Sequence, residues 1–201
     1  MQHDCHPLGA VNSIALRTFS NLEYRDPRPF LVRLRQLEFE VANSASHKRI
    51  RNLRTNRLKA ERELREAAIF CYLAGQRIGI TVGLAPGEGQ DFDVVAAWLT
   101  QDGGHFAPVQ LKELPPKDTA PEASLQRIIS DLAKYTSSPE LVVAIHLNRA
   151  FRFDLSTLTI PNLPIAELWA FGATAPDQST WALWGNLLNS PSVSYHTYPT
   201  A

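Results

Sequence analysis

No stretch of ~18 consecutive apolar residues occurs in the 201-residue chain, which argues against a membrane-spanning helix. The opening residues, Met1 to Pro7, lack the basic start and apolar core of a secretory signal, so the expected compartment is the cytoplasm. Only two cysteines are present, Cys5 and Cys71, far apart and in unlike contexts, which excludes a disulfide framework and zinc-type ligand spacing. His3, Cys5 and His6 would suit a soft metal, although three such residues at a chain start more often belong to a frayed tail. Charge of either sign is not in excess: 20 Lys and Arg balance 20 Asp and Glu, so net charge gives no pointer to nucleic acid. Internal repeats and low-complexity segments are also missing.

What is there suits one globular domain with a sizeable core: 44% of residues are hydrophobic and 20% charged. The charge is unevenly placed. Lys48, Arg49, Arg51, Arg54, Arg57, Lys59, Arg62 and Arg65 meet only Glu61 and Glu63 in the same stretch. Such a run either contacts phosphates, with Arg51, Arg54 and Arg57 as the candidate nucleic-acid-binding residues, or forms a solvated helix face laced with i,i+4 pairs.

Residues 8–27 read as irregular. From Pro29, the spacing of Phe30, Leu34, Leu37 and Val41 predicts a helix. A longer helix is expected from about His47 to Ala74, with a break near Thr55-Asn56 and Gly75 as its stop. Arg77 to Leu84 then reads as a strand and Ala85 to Gly89 as a tight loop. After a hairpin closed by Leu114-Pro115-Pro116, Glu122 to Tyr135 has helical spacing, and Leu141 to Leu147 is the continuous apolar run of a strand buried on both faces. Ile165 to Phe171 is expected as a further strand and Trp181 to Leu188 as a short helix. Trp169, Trp181 and Trp184 suit a core or an oligomer contact, such as a homodimer, better than base stacking.

The hairpin carries the chemistry. Gln101-Asp102-Gly103-Gly104 separates two apolar runs, and Asp-Gly is the preferred centre of a type I′ turn. With that turn, Asp93 faces Lys112 and Val95 faces Gln110. Alternation then puts Asp93, Gln110 and Lys112 on one face, with opposed residues ~5 Å apart. Taken singly, Asp93 and Lys112 read better as a cross-strand ion pair, and Gln110 as a loop cap. Glu113 leaves on the opposite face, Asp91 flanks the motif, and His105 lies too far along its strand to act as a base there. His146 reads as a sheet-end histidine.

An acid at the start of one strand, followed on the next by Gln110-Leu111-Lys112, resembles the PD-(D/E)XK nuclease superfamily in its Gln-bearing, Mrr-like variant. The order helix, three strands, helix, strand over about residues 57–147 is similar to the αβββαβ core of that superfamily. The resemblance implies an α/β, restriction-endonuclease-like fold whose central mixed sheet is flanked by helices. Residues 1–46 would form a partly helical N-terminal extension, 47–175 the core, and 176–201 a tail packed on it. It further implies a metal-dependent nuclease, a phosphodiester hydrolase acting most naturally on DNA, with Mg²⁺ as cofactor and Mn²⁺ as its substitute. Asp93, the Gln110 side chain, the Leu111 carbonyl and a helix carboxylate, Glu66, would hold the ion, and Lys112 would orient water. Glu63 and Glu88 are the substitutes for Glu66, and Gln126 and Lys134 lie on the helix that follows. The same resemblance admits an inactive nuclease-fold module that binds nucleic acid or a protein partner.

Overall fold

The computed structural model describes residues 18–42, 59–87, 92–136, 138–150, 154, 157–189 and 191–200. Helix α1 spans Pro27–Ala42. Pro27 sits where a helix has no use for a backbone N–H, and the carboxylate of Asp26 accepts from the Arg28 N–H at 2.9 Å. The face that announces α1 is not the one it buries: Phe30 and Leu37 are exposed, whereas Leu31, off that pattern, is fully buried.

Helix α2 runs Lys59–Ile78, and its run from Glu66 to Gly75 is almost wholly buried. Gly75 does not stop it. A Cβ there would lie 2.7 Å from the Ile80 carbonyl, so this glycine lets the returning chain pack against the helix. Gly79, at φ +74°, is the residue that ends α2, in the left-handed conformation usual just past a helix C-terminus. Because Arg77 and Ile78 are thereby helical, the strand expected from Arg77 begins only at Gly83. The expected helix start at His47, the break at Thr55-Asn56 and the cationic residues Arg51, Arg54 and Arg57 lie outside the described residues, as do Glu88 and Asp91.

Among the described residues, seven strands form one mixed sheet in sequential order. They are β1 Gly83–Pro86, β2 Val94–Thr100, β3 Gly103–Leu114, β4 Ser138–Leu147, β5 Ile165–Ala173, β6 Thr180–Gly185 and β7 Ser192–Thr197. β3, β4 and β5 are parallel to their neighbours in that trio; the other pairings are antiparallel. Trp181 to Gly185, expected to be helical, belongs to β6. Trp181 and Leu183 enter one core cluster and Trp184 packs against the other, so burial on both sides hides the alternation that marks a strand.

Between β3 and β4 lies α3, Leu125–Asp131, continued by a 3₁₀ turn, Leu132–Lys134. Its N-cap is Ser124, whose hydroxyl accepts from the Arg127 N–H at 3.2 Å. The sheet separates two cores. On one face α2 packs against Val94, Ala96, Val109, Leu111, Val142, Ala144, Phe171 and Trp181; on the other, Leu125, Ile129, Leu132 and Tyr135 meet Leu114, Val143, Ile145 and Leu168. No helix among the described residues is long and apolar enough to cross a membrane.

Candidate functional site

The β2–β3 hairpin turns two residues, Gln101 and Asp102, and pairs Thr100 with Gly103. The type I′ turn expected at Asp102-Gly103 would need positive φ at Asp102. The positive φ falls instead on Gly103, at +129°, one position later, where a type I turn favours glycine. The Thr100 hydroxyl supports this arrangement, accepting from the Asp102 N–H at 3.3 Å and lying 2.7 Å from His105 Nε2. The register therefore differs from the expected one by two residues: Val94 pairs with Val109, which brings Asp93 beside Gln110 rather than Lys112. An even shift keeps every side chain on its face. Asp93, Gln110 and Lys112 accordingly share a face, with Lys112 one step further along β3.

β3 outruns β2, and this creates the site. Beyond Val109 the backbone of β3 has lost its β2 partner, and the Asp93 carboxylate takes the ladder's place. Its Oδ2 accepts from the Leu111 N–H at 2.7 Å and from the Gln110 side-chain amide. The same Gln110 Nε2 donates to the Leu111 carbonyl at 3.2 Å, and Gln110 Oε1 accepts from the Tyr135 hydroxyl at 3.2 Å. A carboxylate oxygen and a backbone carbonyl oxygen thus converge on one point, now filled by an amide nitrogen.

Two ammonium groups stand beside it. Lys112 Nζ is 5.9 Å and Lys134 Nζ 5.2 Å from the centroid of the Tyr135 ring. Burial pushes the pKa of Lys112 below the ordinary lysine value; Lys134 adds to this, Asp93 opposes it, and Lys59 and Glu63 act more weakly in opposite senses. Tyr135 is the site residue that the sequence reading passed over. Its signal was a polar tip at the end of an otherwise apolar helical face.

The helix carboxylate expected to complete this site is elsewhere. Glu66 is buried on the α2 face, on the far side of the sheet from Asp93, with Oε1 3.2 Å from His146 Nδ1. Glu113, as expected from alternation, also leaves on that face. Ligand atoms of Glu66, Glu113 and His146 lie within 4.8 Å of one another. Of the substitutes, Glu88 lies outside the described residues and Glu63 is 3.2 Å from Lys59 Nζ. Gln126 is held away from the site by the Thr159 backbone, donating to its carbonyl at 2.8 Å and accepting from its N–H at 2.9 Å. His105 is stacked on Trp98.

Asp93, Leu111 O and a Gln110 amide turned end for end would present three oxygens, the hard donor set that Mg²⁺ takes with retained water. Exchanging the amide's oxygen and nitrogen leaves its outline unchanged, and the Tyr135 hydroxyl can accept as well as donate. No family model, no curated protein and no solved structure matches the chain.

Proposed function

We propose that this chain is a metal-dependent nuclease of the PD-(D/E)XK type, hydrolysing phosphodiester bonds in DNA in the cytoplasm, with Mg²⁺ as cofactor and Mn²⁺ as its substitute. One observation carries the proposal: the Asp93 carboxylate and the Leu111 carbonyl converge on the Gln110 amide, with Lys112 next on the same face. The order α2-β1-β2-β3-α3-β4 in a mixed sheet supports a restriction-endonuclease-like core around them.

A bound Mg²⁺ supplies Lewis-acid polarisation of the phosphoryl group and a more acidic water. The chain's own residues do the rest. Asp93, Gln110 and the Leu111 carbonyl would hold the ion through the oxygens they present, and so fix where the scissile phosphate meets it. Lys112, whose pKa burial lowers, would orient the attacking water and offset charge that develops on the phosphate. Lys134, across the Tyr135 ring, provides a second cation for the phosphate backbone. Arg51, Arg54 and Arg57, outside the described residues, would add phosphate contacts of their own, each neutralised phosphate adding about 0.9 to the salt slope on duplex DNA.

A second reading has its own support: the Gln110 amide already satisfies both acceptors, as in an inactive module that binds nucleic acid without cutting it. Cleavage assays separate the two. Lys112→Ala should lower Mg²⁺-dependent cleavage on the order of 10²-fold or more with DNA binding little changed, and Asp93→Asn should abolish cleavage. Wild-type protein that binds DNA but leaves single and double strands intact in Mg²⁺ and Mn²⁺ would establish the module instead.

A further inference from the structure

The face of the sheet opposite Asp93 holds a cluster that the nuclease reading leaves unused. Glu66 from the middle of α2, Glu113 from the end of β3 and His146 from the end of β4 point into one volume between the helix and the sheet. Glu66 and His146 are each 3% exposed, so neither carboxylate nor imidazole has bulk water to lean on. Formally the two carboxylates bring two negative charges. The Arg62 guanidinium, 3.9 Å from Glu113, returns one. Buried carboxylates are tolerated where they are paired or coordinate a cation.

We propose that Glu66, Glu113 and His146 bind a divalent transition-metal ion, of which Zn²⁺ is the reference case, at a site separate from and independent of the Asp93 site. The donor set separates the ion from magnesium: an imidazole nitrogen with two carboxylates suits Zn²⁺, Mn²⁺ or Co²⁺, whereas Mg²⁺ takes oxygen ligands. Spacing is compatible. Bonds of ~2.0–2.2 Å place ligand atoms ~3.3–3.6 Å apart around a tetrahedral ion, so a group whose atoms lie within 4.8 Å of one another closes on it by inward rotation of the carboxylate side chains. The 3.2 Å between His146 Nδ1 and Glu66 Oε1 is already a ligand-to-ligand spacing, and the ion takes the place of the proton those two atoms share.

The surroundings are those of a held ligand set. Asn148 Nδ2 donates to Glu113 Oε1 at 2.8 Å, which orients that carboxylate. The His146 ring is stacked on Phe171, 5.1 Å between centroids and 14° between planes, and on Trp181 at 5.7 Å, which fixes its plane. Since the three ligands come from α2, β3 and β4, the ion would tie the helix to the two central parallel strands, and its binding would add to folding stability.

The test uses the full chain stripped with EDTA and reloaded with Zn²⁺ or Co²⁺. Wild type and Asp93→Asn should each retain one ion per chain after desalting. Their unfolding temperature should rise by ~5–10 °C at a hundredfold excess over Kd. Co²⁺ should show d–d absorption of a low-coordinate N/O site. His146→Gln and Glu66→Gln should lose both the ion and the spectrum. Because both changes fall in the core, Glu113→Gln, at the better-solvated ligand, is run beside them with near-UV circular dichroism as the fold check. The proposal is overturned if stripped wild type takes up no Zn²⁺, or if the ion is lost in Asp93→Asn alone. Retention of the ion in all three cluster variants would also overturn it.

Discussion

Gln110→Glu is the change that weighs most on the geometry around Asp93. In the metal-free protein it replaces the amide donor that touches both Asp93 Oδ2 and Leu111 O with a second carboxylate. The lost charge-assisted hydrogen bond alone is worth ~1.5–3 kcal/mol. Two carboxylates ~4 Å apart at an effective dielectric of ~20 would repel by ~4 kcal/mol, a figure that proton uptake and solvent screening of these half-buried groups reduce. A net loss of ~2–3 kcal/mol is therefore expected in EDTA, or ~4–12 °C in unfolding temperature for a chain of this length. Adding Mg²⁺ should recover most of it, because the introduced carboxylate now supplies a ligand. Wild type should respond less to Mg²⁺. Differential scanning fluorimetry of both proteins, with EDTA and with millimolar Mg²⁺, reads this directly. Equal unfolding temperatures in EDTA would refute the convergence of these groups, and a loss that Mg²⁺ fails to restore would refute the ion site.

Tyr135→Phe removes the hydroxyl that donates to Gln110 Oε1 and should lower stability by ~0.5–1.5 kcal/mol in urea unfolding, with near-UV circular dichroism unchanged. Cys71 controls part of the alkaline limb: burial pushes its thiol from 9.0 up to about 12, so the folded state keeps a proton that the unfolded chain releases. Stability should thus be full below pH 9 and fall by ~1.4 kcal/mol per unit towards pH 12. Cys71→Ala should remove the fall between pH 9 and 10 and make it shallower above, where Tyr24 and Tyr198, whose hydroxyls burial raises from 10.0 to about 12, keep protons of their own. Glu66→Gln should leave the Mg²⁺ dependence of cleavage unchanged while removing Zn²⁺ uptake; a lost Mg²⁺ response with Zn²⁺ uptake intact in metal titrations would return Glu66 to the Asp93 site.

Much of the fold was legible because its signals are local. The apolar run from Leu141 to Leu147 needs burial on both faces, and it becomes the centre of the sheet. Gly75 misled because glycine has two uses, ending a helix and admitting a close neighbour. Only tertiary packing shows that the Ile80 carbonyl occupies the space a Cβ would need, while Gly79 carries the left-handed turn. β6 was misread for a related reason. Trp181, Ala182 and Leu183 are all buried, so no period of two survives in the sequence to distinguish a six-residue strand from a helical turn.

The site divides along the same line between local and tertiary information. Parity along β3 is local: Gln110 and Lys112 must leave one face, Leu111 and Glu113 the other, whatever the register of the hairpin. A two-residue error in register therefore left the composition of the Asp93 site intact and changed only which residue stands next to the carboxylate. The helix contribution has no such protection. Glu63 and Glu66 are one turn apart on α2, ~4.5 Å along its axis, and no pattern in the sequence says which of them meets β3 or from which side. The fold decides it by where α2 crosses the sheet. Glu66 lands over His146, and Glu63, one turn earlier, pairs with Lys59. One strand thus supplies both polar volumes: Gln110 and Lys112 to the face covered by α3, Glu113 to the face covered by α2. A single layer of backbone keeps the two sets of ligands apart, so the loss of one need not disturb the other.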